Sequence, residues 1–202
     1  MVYISDFKTA SVTPYGLIRL DLINSGVNQK VVSSLGNNKY FNFVKLIANQ
    51  AFTLSDPETN HIYGGTGGVL AVNGTAISAL VSGWYQLSID TKTLTYTLDL
   101  CNMGLIGDAT PNAWNAPDTK MDFDPKSQAW IVTVNLIVGS IKFRSNDNWT
   151  ANIFNLGIGT GYSIDNLFNG SSSSNIPIAT AGNYMIKLYL NSPPYRCTIT
   201  KK

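Results

Sequence analysis

The sequence predicts an all-β protein that holds two copies of one β-sandwich domain. Short segments in which apolar and polar residues alternate recur along the chain, and clusters of Gly, Asn, Ser, Asp and Pro separate them. Alternation with a period of two is the pattern of half-buried strands, and no window holds apolar residues at a sustained helical spacing. An internal repeat is the third observation, and it sets the number of domains at two.

Seven segments are the clearest candidate strands, because they are rich in Val, Ile, Thr, Tyr and Leu. In chain order they read GLIRLDLI, YFNFVKLI, GWYQLSI, TLTYTLDL, AWIVTVNL, SIKFRS and NYMIKLYL. Many short strands with turn residues between them are typical of two packed sheets.

The repeat is clearest around two Gly-x-Tyr segments. ISALVSGWYQLSID begins at Ile77 and IPIATAGNYMIKLY begins at Ile176, and both fit the pattern I-x5-G-x-Y-x-[LI]-x-[IL]. Upstream, FVKLIANQAF resembles TVNLIVGSIKF once one residue is inserted, which aligns Phe52 with Phe143. We therefore expect two domains, 1–98 and 99–202, with almost no linker between them.

Composition and charge exclude several classes of protein. The chain has 202 residues, 44% of them hydrophobic and 13% charged, which excludes a disordered tail or a coiled coil. A net charge of +2 is too small to attract a phosphate backbone, so no nucleic acid partner is expected. No run approaches the roughly 18 apolar residues of a membrane span, and the opening MVYISDFKTASV shows no export signal.

Strand parity divides the aromatic residues between core and surface, because successive side chains point to opposite faces. Tyr85 and Tyr184 share their faces with apolar residues, and Trp130 shares its face with Val132, so all of these belong to a core. Trp84 points the other way, and we expect it to cover the interface between the two copies.

Two tryptophans of the second copy fall on irregular segments. Trp114 lies in GDATPNAWNAPDTKM, residues 107–121, and a large ring on a loop is either a plug folded onto the core or a platform for a ligand. In SIKFRSNDNW, parity points Ile141 and Phe143 inward and leaves Lys142 and Arg144 together on the other face, shortly before Trp149. The alternative is that the two cations are only solvated and that Trp149 folds back as a staple.

These residues could form a sugar-binding site. Sugar rings present flat C–H faces that pack on aromatic rings, and hydroxyl groups that need hydrogen-bond partners once water leaves. A guanidinium group can donate paired hydrogen bonds to adjacent hydroxyls, and Asn146, Asp147 or Asn148 offer acceptors nearby.

Catalytic and metal sites have weaker support in the sequence. Asp122 and Asp124 could be a glycosidase pair, but they lie at a strand end with both side chains toward solvent. His61 has no serine or cysteine motif beside it, and the Asx-rich turns lack the spacing of a calcium loop. We expect no enzyme activity, no cofactor and no metal ligand set.

The two cysteines leave the redox compartment open. Cys101 and Cys197 could bridge a first and a last strand, but a single pair has no diagnostic spacing. Two free, half-buried thiols are the favoured interpretation.

The second half resembles the SusE/SusF family of surface starch-binding lipoproteins of Bacteroidetes. The resemblance rests on LIGDATPNAW at its start, VNLIVGSIKFRSNDNW in its middle and AGNYMIKLYLNSPPYRCTI at its end, and it covers residues 99–202. The first half is similar through YFNFVKLIANQAF, YGGTGGVLAVNGTAI and SGWYQLSIDTKTLTYTL, but it is a degenerate copy without the GDATPxxW loop.

The resemblance implies tandem immunoglobulin-like sandwiches that bind a polysaccharide, α-glucan above all, without catalysis. It implies a lipid anchor in the outer membrane, at the cell surface, and partners among other Sus-type outer-membrane proteins of a glycan uptake system. No lipidated cysteine is visible, so the chain would be a mature fragment without its anchor. The carbohydrate-binding residues that the resemblance implies are Trp114 and Trp149 as platforms and Arg144 or Lys142 as the cation, and the chemistry of the loop adds Asn146 and Asp147 as acceptors. A structural or adhesive surface module without a sugar site is the alternative.

Overall fold

The computed structural model describes residues 18–26, 28–150 and 153–202, and within these ranges the chain forms eighteen β-strands and no helix. The opening segment 1–17, which includes the start of the first candidate strand, lies outside the described residues. All seven candidate strands are confirmed where the structure describes them, so the all-β prediction is correct.

The first half forms one closed sheet of eight strands. Its order is β1-β2-β3-β7-β8-β6-β5-β4, with neighbours antiparallel. The strands are β1 (Arg19–Ile23), β2 (Gln29–Val32), β3 (Lys39–Leu46), β4 (Thr53–Ser55), β5 (Ile62–Thr66), β6 (Val69–Val72), β7 (Gly83–Asp90) and β8 (Thr95–Leu100).

The second half forms two sheets. One has the order β10-β9-β13-β14-β15 with β16 also paired to β13, and the other has the order β11-β12-β17-β18. The strands are β9 (Met103–Ile106), β10 (Thr119–Lys120), β11 (Asp122–Asp124), β12 (Ala129–Leu136), β13 (Gly139–Ser145), β14 (Asn155–Gly157), β15 (Phe168–Asn169), β16 (Ile176–Ile178), β17 (Gly182–Tyr189) and β18 (Arg196–Lys201). The prediction of two immunoglobulin-like sandwiches is not confirmed, because the first half closes into a barrel.

The repeat in the sequence corresponds to a repeat in strand register. Val44 lies opposite Tyr85 in the pair β3–β7, and Val134 lies opposite Tyr184 in the pair β12–β17. Each tyrosine hydroxyl donates a 2.7 Å hydrogen bond to the carbonyl four residues upstream, at Val81 and at Thr180. Such a tyrosine corner is typical of β-sandwich domains, and it explains why the Gly-x-Tyr segments match.

The upstream part of the sequence alignment is corrected by the register. Ile77 bridges to Phe52, while its counterpart Ile176 pairs with Ile141 in β13. Phe52 is therefore equivalent to Ile141, and its alignment with Phe143 was wrong by two positions. The hairpin between the strands differs by one residue in length, and this hid the true register.

The two halves meet through aromatic rings. One hydrophobic core lies within the barrel, but Phe43 and Trp84, on the outer face of the barrel strands, belong to the core of the second half. The Trp84 ring lies 5.4 Å from that of Trp130 and 5.7 Å from that of Phe123, and its Nε1 donates to Asp122 Oδ1 at 3.3 Å. The prediction that Trp84 covers the junction is confirmed.

The predicted core residues are also confirmed. Trp130, Tyr85 and Tyr184 are all buried. Cys101 and Cys197 are free thiols, and both are fully buried, where half-burial was expected. Burial raises the pKa of Cys197 to about 12 and raises that of Cys101 further, which keeps both thiols protonated. In the described residues no helix is long and apolar enough to span a membrane.

Candidate functional site

The candidate site lies on the outer face of the sheet that contains β9, β13 and β14. Parity within β13 points Ile141 and Phe143 into the core, where both are fully buried, and points Lys142 and Arg144 outward. Arg144 pairs with Gly104 on one side and with Asn155 on the other, so these three residues share the outer face. The sequence prediction of a cation pair opposite the core is correct.

Trp149 lies over the two cations. The Cζ atom of Arg144 is 4.3 Å from the centroid of the Trp149 ring, and Nζ of Lys142 is 5.5 Å from it. A cation over an aromatic face contributes about 0.5–2 kcal/mol, with the upper end reached when water is excluded. Trp149 is nevertheless 41% exposed, so the cations support it from below without enclosing it.

Trp114 lies beside Trp149. It is 38% exposed, the two ring centroids are 6.4 Å apart, and the ring planes are inclined by 37°. The loop that carries Trp114 is fixed at its start, where Asp108 Oδ1 accepts hydrogen bonds from the backbone N–H and the hydroxyl of Ser140, both at 2.7 Å. The two indoles therefore form a partly open, angled pair on a fixed base.

Arg144 makes a buried ion pair with Asp118, the last residue of the Trp114 loop. Its Nη2 donates to Asp118 Oδ1 at 2.7 Å and its Nε donates to Asp118 Oδ2 at 2.9 Å. Both side chains are almost inaccessible, at 3% and 0% of their full exposure. The expectation that Arg144 offers an open guanidinium group is corrected, because two of its nitrogens serve Asp118.

Lys142 is buried as well. Its ammonium group donates to the backbone carbonyl of Ser173 at 2.9 Å, and only 6% of the residue is exposed. Burial lowers the pKa of Lys142. The Ser173 segment and the Trp149 ring together cover the lysine. The expectation that Lys142 offers an open cation to a ligand is therefore corrected as well.

Asn146 and Asp147 also bind within the protein. Asn146 Nδ2 donates to the carbonyl of Leu100 at 2.8 Å, and its Oδ1 accepts from the N–H of Asn102 at 2.9 Å. Asp147 Oδ1 accepts from the N–H of Asp118 at 2.9 Å, while Oδ2 binds the Lys120 ammonium group. The expected acceptors for a ligand therefore hold the loop, as Asx-rich turns commonly do.

The pKa of Asp147 reflects these contacts. Burial raises it, but the hydrogen bonds from Lys120 and from the N–H of Asp118, together with the charges of Lys120 and Arg144, outweigh burial and hold the pKa below its usual value. Asp147 is therefore an ionised link between the two loops at neutral pH.

The rival candidates occupy ordinary structural positions. Asp124 caps its own turn through hydrogen bonds from Lys126 and Ser127, and Asp122 contacts Trp84 and Lys45 at the junction. His61 is exposed, with Nδ1 3.3 Å from the Tyr63 hydroxyl. Across the described residues, no group of three or more His, Cys, Asp or Glu side chains could hold a metal ion.

Sequence reasoning missed Asp118 and Gly104. A Cβ atom on Gly104 would lie 2.5 Å from Cβ of Asp118, so the absence of a side chain in β9 makes room for the ion pair. The available signal was an arginine on a strand whose other face is core, since a covered arginine needs a carboxylate partner. The sequence alone did not show that loops cover this outer face.

No protein-family model matches the sequence, and no curated protein matches it. Among solved structures, the chain is similar to SusF from Bacteroides thetaiotaomicron, with a TM-score of 0.37 and 13% sequence identity. The similarity covers 91% of this chain and 49% of that SusF chain, so the chain spans about half the length of the structure it matches. This is a distant likeness of fold, and it says nothing about a ligand of this chain.

Proposed function

We propose that the protein binds a polysaccharide, without catalysis, on the platform formed by Trp114 and Trp149. The observation that carries the proposal is the exposure of two indoles side by side, 6.4 Å between centroids, on a part of the surface where the polar groups beneath them already have partners. An exposed pair of large rings on a folded protein is uncommon unless it contacts something.

The chemistry of the platform suits a sugar chain. The 37° angle between the rings presents two inclined flat surfaces, which match the C–H faces of successive sugar units in a curved chain. The sugar hydroxyls keep their contact with water on this open surface, because the Arg144 guanidinium group beneath Trp149 is almost inaccessible and two of its nitrogens bind Asp118. An open surface of this kind binds in the micromolar to millimolar range, or about 4 to 8 kcal/mol.

The substrate and location follow from the family resemblance of the sequence. The ligand is a starch-like α-glucan, and the protein is an accessory member of a Sus-type glycan uptake system with other outer-membrane proteins as partners. A lipid anchor holds it at the cell surface. These statements rest on the motifs LIGDATPNAW, VNLIVGSIKFRSNDNW and AGNYMIKLYLNSPPYRCTI.

Affinity electrophoresis against a panel of polysaccharides tests the proposal. We expect one glucan or a related glycan to retard the wild-type chain, and we expect Trp114→Ala and Trp149→Ala each to abolish the retardation. The matched control is Leu80→Ala, which removes another exposed apolar side chain far along the sequence from both loops. It should bind like the wild type.

Stability separates loss of the platform from loss of the fold. Trp114→Ala should leave the melting temperature nearly unchanged, and Trp149→Ala should lower it slightly, because the ring covers Arg144 and Lys142. If no glycan in the panel retards the wild type, the platform does not bind sugar and the structural or adhesive module replaces this proposal.

A further inference from the structure

We propose that Asp118 is a positioning residue, which sets the separation and angle of Trp114 and Trp149 through its buried ion pair with Arg144. The effect on a ligand rests on the proposed function, but the effect on the two rings does not. Asp118 has this role because it belongs to the Trp114 loop and binds both Arg144, on which the Trp149 ring lies, and Asp147, in the loop that carries Trp149.

The first tie joins the Trp114 loop to the base of the Trp149 ring. The Asp118 carboxylate binds Nε and Nη2 of Arg144, and the guanidinium group of Arg144 lies 4.3 Å from the Trp149 centroid. A fork of two parallel hydrogen bonds fixes the plane of a guanidinium group, where a single bond would leave it free to rotate. The plane on which Trp149 rests is therefore set by a residue of the neighbouring loop.

The second tie joins the two loop backbones. The N–H of Asp118 donates to Asp147 Oδ1 at 2.9 Å, and Asp147 stands two residues before Trp149. Asn146, just before it, binds the backbone of Leu100 and Asn102, the segment that joins the two halves. The start of the Trp149 loop is thus fixed to the body of the protein on one side and to Asp118 on the other.

The shape of the sheet fits this role. Gly104 lies directly across from Arg144 in β9, and a Cβ atom there would approach Asp118 Cβ to 2.5 Å and Oδ2 to 2.9 Å. The Asp118 side chain therefore packs against the strand at Gly104, in space that a larger residue in β9 would occupy. Both rings are held in one arrangement before any ligand arrives, which lowers the ordering cost of binding.

Circular dichroism measures the arrangement of the two rings without a ligand. Two indoles 6.4 Å apart couple their electronic transitions, and the sign and size of the resulting couplet in far-ultraviolet circular dichroism depend on their mutual orientation. Because Trp84 and Trp130 form another close pair, the couplet of interest is isolated as the spectrum of a chain minus that of the same chain with Trp114→Phe.

Asp118→Asn keeps the size of the side chain but cannot make the charged fork. We expect it to lose at least half of the isolated couplet and to weaken glycan retention at least tenfold. Asp124→Asn is the control, because Asp124 caps a turn on the other sheet and should leave the couplet unchanged. An unchanged couplet in folded Asp118→Asn overturns the proposal.

Gly104→Ala provides a second route that removes no charge, in case Asp118→Asn fails to fold. It should displace Asp118 and reduce the couplet, while Gly159→Ala, whose added Cβ would meet nothing closer than 3.8 Å, should not. An unchanged couplet in Gly104→Ala overturns the proposal as well. If the couplet falls in both variants but the wild type binds no glycan, the positioning role stands and the proposed function fails.

Discussion

The two halves of the chain share a framework but differ at the four positions that build the base of the site. In the second half these positions hold Gly104, Lys142, Arg144 and Asn155, and the register of β1, β4 and β5 gives their counterparts in the first half as Asp21, Thr53, Ser55 and Ile62. The buried residues between them correspond closely, since Leu22 and Leu54 pair in the first half where Leu105 and Phe143 pair in the second. The core was kept while the outer face changed.

A glycine shows how far the shared framework extends. Gly64 in β5 and Gly157 in β14 are equivalent, and an added Cβ on either would lie 2.4 Å or less from a backbone carbonyl of a crossing segment, at Thr75 or at Ser174. The same segment crosses the same strand in both halves, so its close approach is a property of the fold and not of the site.

The loops make the larger difference. The loop 107–118 has as its counterpart the short connection 24–28, and the loop 146–154 has the turn 56–61. Neither connection of the first half contains tryptophan. Asp56 instead closes its own turn by accepting hydrogen bonds from Glu58 and Thr59. The pair of exposed indoles therefore depends on both loops and on the residues beneath them, and the counterparts of all of these in the first half contain no tryptophan, lysine or arginine.

The stability of the second half depends on the first half, because residues of the first half complete its core at the junction. Trp84→Ala should lower the free energy of unfolding by about 3–5 kcal/mol, since it leaves a large cavity against Trp130 and Phe123. Urea unfolding, followed by fluorescence, measures the change. Leu80→Ala, in the same half but exposed, should cost less than about 0.5 kcal/mol.

If Trp84→Ala destabilises only the barrel, the first half does not complete the core of the second half. In that case unfolding would show two transitions, and the isolated Trp114–Trp149 couplet would survive the first of them unchanged. A single transition at lower urea concentration, with the couplet lost in it, supports a core shared across the junction.

The tyrosine corners test how equivalent the halves are. Tyr85→Phe and Tyr184→Phe each remove one hydrogen bond to a backbone carbonyl, and each should cost about 1 kcal/mol. Tyr184 lies also 3.1 Å from the Thr180 hydroxyl, so its loss should be slightly greater. The midpoints of urea unfolding measure the cost of each substitution. A cost found in only one half would show that the two tyrosine corners do not contribute equally to stability.

Much of the fold could be predicted because it depends on periodicity. The alternation of apolar residues identified the strands, the core face of β13 and the burial of Trp130, and the odd parity of Trp84 indicated the junction. The closure of the first half into a barrel could not be predicted in this way, because it depends on two strand pairs that are each in register at a single position, β2 with β3 at Val32 and Phe41, and β6 with β8 at Val69 and Thr95.

The candidate site was predictable in position but not in chemistry. Loop aromatics and strand parity placed Trp114, Trp149, Lys142 and Arg144 on one surface, as the structure does. They did not show that the loops fold back over the sheet and bury the cations, because loop conformation depends on contacts such as Asp118 with Arg144, which lie 26 residues apart. Polar residues on the outer face of a strand indicate a site, but the sequence does not show whether their hydrogen bonds go to the protein or to a ligand.

The smallest effect concerns the ionised Asp147 link between the two loops of the second half. The folded pKa of Asp147 lies below its unfolded value of about 3.9, so its contribution to stability is present above that pH and is lost as the pH falls through the folded pKa. Because the link is partly exposed, Asp147→Asn should cost no more than about 1 kcal/mol at pH 7. Urea unfolding of both proteins at pH 7, 4 and 3 should show this cost shrinking toward acid. A cost that stays constant or grows as the pH falls would mean that the charge of Asp147 does not hold the loops.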